Sequence, residues 1–326
     1  MINPLIAVRD IHFGSSVIVA GIVFFVLFIA SPSLRMADSR LGATVAAFSV
    51  RSATILWLSL GLSIISGFAW LGLVAARIAG KPFGEVIADG TIWTVISQTQ
   101  FGFAWELRFL FSVLLAACLF VRWVKKVGAS IGQEVLAALL AGAYIGSLAF
   151  AGHGEEGLGI ERNLHLATDF FHLIAAGFWL GGLIPLALLL IYLHRFREQT
   201  WLSVACDAAR RFSNLGILAV GILLVSGTIN AWFLIGSMQG LIDTSYGRLL
   251  ILKTTLFAAM VCLAGINREY LLPRLFGGIE TDLGSRALPW LIRSALVEIV
   301  LGVGVILIVG TLGIMAPATD MHSHVH

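Results

Sequence analysis

The chain has 326 residues, of which 59% are hydrophobic and only 12% charged; its mean hydropathy is +0.96 and its formal net charge +3. That balance excludes a water-soluble domain and offers no basic surface for nucleic acid. The three cysteines, Cys118, Cys206 and Cys262, show no Cys-x-x-Cys spacing, which argues against a thiolate metal site or a disulfide framework.

Apolar runs predict an all-α polytopic membrane bundle of eight transmembrane helices, each with the roughly 20 residues a bilayer demands. They cover Ile11 to Ala30, Ala53 to Ala76, Ala104 to Val121, Val135 to Ala151, Leu164 to Leu193, Leu215 to Ile235, Leu249 to Ile266 and Pro289 to Ile314. No small-residue cleavage site precedes the first, so it is expected to stay in the membrane. The connection from Arg77 to Phe103 carries Trp93 and is expected to form an interfacial helix or a lid over an outer site.

Thirteen Lys and Arg fall on one alternate set of connections, among them Arg122, Arg197 and Arg274, and six on the other, among them Arg77 and Arg162. The positive-inside rule then places both termini on the outer, periplasmic side. On that topology seven of the eight histidines lie at or near the outer face, His194 being the exception.

Two sequence offsets point to an internal repeat. Thr99-Gln100-Phe101-Gly102 and Arg108 match Thr244-Ser245-Tyr246-Gly247 and Lys253 at 145 residues, while Ser66-Gly67 matches Ser226-Gly227 at 160. Asp10-Ile11-His12 likewise resembles the run Asp169 to His172. Residues 1–326 therefore read as one membrane domain built from two four-helix repeats, about 1–151 and about 160–315, followed by a tail, 316–326, with His322, His324 and His326 as auxiliary metal donors. His12 and His172 become mates near the outer surface.

The stretch from Gly152 to Leu183 is the most polar entry to any of these helices. It carries His153, Glu155, Glu156, Glu161, His165, Asp169 and His172, and an ionisable group at membrane depth is by default functional. His165, Asp169 and His172 stand at i, i+4 and i+7 and share a helix face. His165 and His172 are about 10.5 Å apart along the axis at about 1.5 Å per residue, too far to clasp one ion without help. His153 and His12 are the candidates to complete a site, with Asp169 as a ligand or as an orienter of imidazole. Glu298, near mid-membrane, is a candidate inner metal station or proton relay paired with Arg293. Arg108 and Lys253 are expected near the outer interface, snorkelling or binding an anion, with Glu106 as a local partner of Arg108. Imidazole suits copper, zinc, iron and haem alike, and no Met-x-x-x-Met ladder selects Cu(I).

His165-Leu-Ala-Thr-Asp-Phe-Phe-His172, then Phe178-Trp179-Leu180-Gly181-Gly182-Leu183, then Tyr246-Gly247-Arg248 through Lys253, Asn267-Arg268, and Arg293-Ser294 with Glu298, together resemble the copper resistance protein D family (CopD, PcoD). The resemblance runs over nearly the whole chain. It implies an eight-helix inner-membrane protein for copper uptake, resistance and homeostasis, working with a separate periplasmic CopC-like copper-binding partner. The expectation is a copper-binding protein that takes the ion from the periplasmic side through His153, His165, His172, His12, Asp169 and Glu298. The alternative is a haem b- or quinone-linked membrane oxidoreductase with His12 and His172 as cofactor ligands. No nucleotide-binding or aspartyl-phosphate motif is visible, so metal handling without nucleotide hydrolysis is favoured over enzyme activity.

Overall fold

Backbone N–H and C=O groups in hydrocarbon must be satisfied within the segment that carries them, which leaves helices as the solution for single apolar runs. The computed structural model describes residues 3–35, 41–125, 130–151, 160–196, 201–277 and 283–316, and no strand occurs among them. The helices are α1 (Pro4–Leu34), α2 (Gly42–Ala79), α3 (Phe83–Ala88), α4 (Thr91–Gln98), α5 (Gln100–Lys125), α6 (Ile131–Ala151), α7 (Ile160–Phe196), α8 (Trp201–Ile235), α9 (Met238–Asp243), α10 (Ser245–Gly277) and α11 (Leu283–Leu312). Eight of them, all except α3, α4 and α9, contain a window long and apolar enough to cross a membrane.

Several helices overrun the apolar stretches that predict them. α2 begins at Gly42 and α8 at Trp201, more than ten residues before the expected starts at Ala53 and Leu215. Helical pairing explains the extension: Arg211 Nε meets Asp207 Oδ2 one turn earlier at 2.6 Å. Cys206 therefore lies inside α8, 1% exposed, rather than in a connection.

α1 and α7 cross at the centre of the bundle. A Cβ on Gly21 would strike the Gly181 backbone, and one on Gly181 would strike the Val17 carbonyl, so the two backbones touch where only hydrogen fits. Phe25, Phe212 and Phe178 fill the space around this crossing, with Phe178 and Phe212 stacked at 5.9 Å.

The Arg77 to Phe103 connection folds as α3 and α4. Val86 and Val95 pack on Leu71 and Ala75 of α2, and Trp93, 73% exposed, points outward as an interfacial anchor would. Lys81 Nζ donates to Asp89 Oδ2 at 2.6 Å, and Asp89 Oδ1 accepts from Thr91 N and Oγ1 at 3.0 and 2.6 Å. At the start of α5, Thr99 Oγ1 donates to the Val95 carbonyl at 2.6 Å and accepts from Gly102 N at 3.0 Å. Thr244 makes the same pair at the start of α10, to Gly240 O at 2.6 Å and from Gly247 N at 2.9 Å. Gly102 and Gly247 both lie against carbonyls of the preceding short helix, where a side chain would collide. Each short helix is thereby folded back onto the membrane helix that follows it.

Candidate functional site

His12 projects from α1 into a polar cluster with α2, α5 and α6. Its Nε2 is 2.6 Å from Arg108 Nη2, and its Nδ1 is 2.9 Å from the Ser63 carbonyl and 3.1 Å from Ser66 Oγ. A guanidinium only donates, so Nε2 accepts, and Nδ1 carries the proton it gives to Ser63. Arg108, 5% exposed, also donates to Ser16 Oγ at 3.3 Å and to Tyr144 O and Ser147 Oγ, both at 3.5 Å. It is thus turned inward rather than snorkelling toward the interface or pairing locally with Glu106. Trp105 Nε1 caps the cluster through Gly67 O at 3.1 Å, and the remaining cavity is about 20 Å³, room for little more than one water. Any ligand at His12 Nε2 has to displace the Arg108 guanidinium.

The shared face of α7 packs on α8 as a polar ladder. The His165 ring stacks on Phe233 at 5.0 Å and 21°. One turn further in, Asn230 Oδ1 accepts from Thr168 Oγ1 at 2.8 Å while its Nδ2 donates to Asp169 Oδ1 at 3.0 Å. The next turn holds His172, whose Nδ1 is 2.9 Å from Ser226 Oγ. Ser226 spends its proton on the Ile222 carbonyl at 2.5 Å, so it accepts from His172, and Nδ1 is the protonated nitrogen. Nε2 keeps its lone pair. His172 lines a cavity of about 290 Å³ with Trp179, Gly227, Lys253, Phe257 and Met260. Lys253 is near enough for its charge to act on both Asp169 and His172.

The surroundings of the two imidazoles correspond. Each Nδ1 meets a serine, Ser66 or Ser226, and each ring lies against a glycine, Gly67 or Gly227. A basic residue stands near each, Arg108 or Lys253. What differs is the filling, since Arg108, Trp105, Phe109 and Tyr144 crowd the first site.

Glu298 lies deeper, 2% exposed, and accepts from Asn267 Nδ2 at 2.7 Å. Asn267 opens the π turn Asn267–Leu271, an irregularity that lets α10 present Asn267 and Arg268 to a second cavity of about 210 Å³, lined also by Trp179 and Glu298. Arg293, the expected partner of Glu298, instead lies over the Trp290 ring at 5.1 Å.

The structure therefore brings His165, Asp169 and His172 to one helix interface and places His12 and Glu298 in other surroundings. His153 and the tail histidines lie outside the described residues, and among the described residues no three His, Cys, Asp or Glu side chains form a metal cluster. A haem held between His12 and His172 does not fit: the imidazoles line separate cavities, and the one at His12 has no room for a macrocycle. Nothing in the sequence singled out Asn230 or Tyr144; Asn267 entered only through the family resemblance, and Ser66 and Ser226 only as markers of the repeat. The offset of 160 that pairs the Ser-Gly dipeptides, the same that pairs His12 with His172, was the signal for the serines.

A family model described as the N-terminal domain of copper resistance protein D-like proteins matches residues 1–163, and one for copper resistance protein D matches residues 206–312. The chain belongs to the copper resistance protein D family. Copper resistance protein D of Pseudomonas syringae pv. tomato is 29% identical over 98% of this chain and 99% of its own length. The inner membrane protein YebZ of Escherichia coli (strain K12) is 30% identical over 96% and 98%. Copper transport protein CutJ of Bacillus subtilis (strain 168) is 32% identical over 58% of this chain and 34% of its own length. No solved structure matches significantly. As a member of this copper resistance protein D family, the chain is a copper-related membrane protein.

Proposed function

We propose that the protein is a multi-pass inner-membrane copper handler that receives the ion at the end of the bundle bearing His165 and His172 and moves it into or across the bilayer. The observation that carries this reading is the fixed tautomer of His172: Ser226 holds the Nδ1 proton and leaves an unprotonated Nε2, the form in which imidazole ligates a metal. His165 and Asp169 lie on the same approach, with His153 as a further candidate ligand and Glu298 with Asn267 as a station deeper in the membrane; His12, engaged by Arg108, is left out of the set. The end that carries this ladder is taken as the periplasmic side, where a CopC-like partner would deliver copper. The matching surroundings of His12 and His172 support two four-helix repeats, of which the second does the binding.

The test is metal analysis of the purified protein after copper loading, paired with copper flux into proteoliposomes. Wild type is expected to retain copper and pass it, and a His165→Ala/His172→Ala double variant to lose both. Equal copper in the two proteins would overturn the reading, and a Soret band in the purified protein would restore the haem alternative.

A further inference from the structure

The cavity at His172 opens sideways. Leu224 and Thr228 of α8 and Thr254 of α10 line it and are exposed on the bundle surface, along helices of membrane-crossing length. The opening therefore faces hydrocarbon. In the first half the corresponding entrance is shut. At the offset of 145, Trp105 and Phe109 stand where the second half has Leu250 and Thr254, and at 160 Phe68 stands where it has Thr228. Trp105 and Phe109 stack at 5.4 Å, and Phe68 meets both edge-on at 4.9 and 5.6 Å. Three aromatic side chains in one half become a leucine and two threonines in the other.

The chemistry inside the opening narrows what can enter. The walls are apolar and aromatic, with Trp179 and Phe257 edge-to-face at 5.7 Å. Thr228 and Thr254 spend their hydroxyl protons on the Leu224 and Leu250 carbonyls, which leaves an imidazole with an accepting Nε2 and the Lys253 ammonium, which only donates. An acyl chain would leave the Nε2 lone pair without a donor and give the ammonium no oxygen in a dry site. A volume of about 290 Å³ is at the lower end for small-molecule sites, enough for one ring and far short of a macrocycle. A flat ring with one hydroxyl to donate to His172 and oxygen to accept from Lys253 satisfies both groups.

We propose that this cavity binds the head of a membrane-dissolved quinol, its hydroxyl donating to His172 Nε2, its oxygen accepting from Lys253 Nζ and its tail leaving between α8 and α10. The site goes beyond the copper reading and does not depend on it. Copper comes to His172 along α7 past Asp169, whereas the quinol comes laterally, and the single lone pair serves one of them at a time.

The experiment is calorimetric titration of the metal-free, detergent-solubilised full chain with decylubiquinol, with decanol as a control for lipid-like binding. Wild type is expected to take up one decylubiquinol per chain and no decanol. Loss of either hydrogen bond, in His172→Phe or Lys253→Met, is expected to weaken binding roughly tenfold. Leu250→Trp/Thr254→Phe, which installs the aromatic residues of the first half, is expected to abolish it. Thr228→Phe closes the mouth from α8 and serves if the double variant fails to fold. Leu252→Trp, outside the cavity, is expected to bind normally. No binding by wild type, equal uptake of decanol, or normal binding by a folded cavity-filled variant overturns the proposal. Copper retained after loading of the same variants in separate aliquots tells its failure apart from failure of the copper reading.

Discussion

Replacing Ser226 by alanine is the sharpest probe of how the protein prepares an imidazole. Ser226 Oγ lies 2.9 Å from His172 Nδ1 and 2.5 Å from the Ile222 carbonyl, so the substitution removes the acceptor that fixes the ring proton. The Ile222 carbonyl keeps its helical hydrogen bond, and the unmet demand falls on the imidazole N–H. An unsatisfied buried donor costs about 1–3 kcal/mol, and the ring recovers that by turning or by moving its proton to Nε2. Either response takes away the metal-facing lone pair. Loss of such an orienting partner lowers metal affinity about 10- to 100-fold. Copper titration of solubilised Ser226→Ala against a competing chelator measures it directly, with Ser226→Thr expected to restore affinity because the hydroxyl returns. Wild-type affinity in Ser226→Ala, alongside loss of copper in His172→Ala, would refute the role assigned to the serine.

The backbone crossing of α1 and α7 predicts that Gly181→Ala lowers the melting temperature in detergent by an amount corresponding to about 1–3 kcal/mol of overpacking. Gly221→Ala on α8, where an added Cβ meets nothing within 4 Å, should instead be neutral or stabilise by about 0.5–1 kcal/mol. Glu298→Gln keeps an acceptor for Asn267 and should unfold like wild type, whereas Glu298→Ala strands that amide and should cost about 1–3 kcal/mol by the same melting assay; reduced copper flux in the folded Gln variant would mark the carboxylate as a transport station. The Asp89 carboxyl is held well below its ordinary value of 3.8 by hydrogen bonds from Lys81 and Thr91. Because the folded carboxyl is the stronger acid, its stabilising effect is complete above that ordinary value and fades as pH falls below it. Hydrogen exchange across residues 83–98, corrected for its intrinsic pH dependence, should show protection that is flat from neutral pH down to about 5 and declines progressively below about 4, and Asp89→Asn should abolish the dependence.

Hydropathy was enough to find all eight membrane helices, because twenty consecutive apolar residues have few other fates. It could not find their ends. Stretches such as 201–214 are polar enough to read as connections, yet a single turn-to-turn pair like Asp207 with Arg211 lets the helix run on into them. The common face of His165, Asp169 and His172 followed from helical periodicity alone, and all three do meet α8. Partners contributed by other helices were harder to see. Glu298 was expected to choose Arg293, five residues away on its own helix, but residues five apart point in different directions, and Asn267 of α10 faces it instead. Arg108 looked like an interfacial cation until α1 and α6 supplied His12, Ser16, Tyr144 and Ser147 to surround it.

The contact of Gly21 with Gly181 also determines which helices are locked together. Helices joined through their backbones cannot slide without losing dispersion contacts all along the seam, so α1 and α7 form a stator. α10 is the opposite case, with only 6% of its apolar window covered by the rest of the protein. Most of its surface is left to lipid, although Lys253 at one end and Asn267 at the other still line the two cavities of the second half.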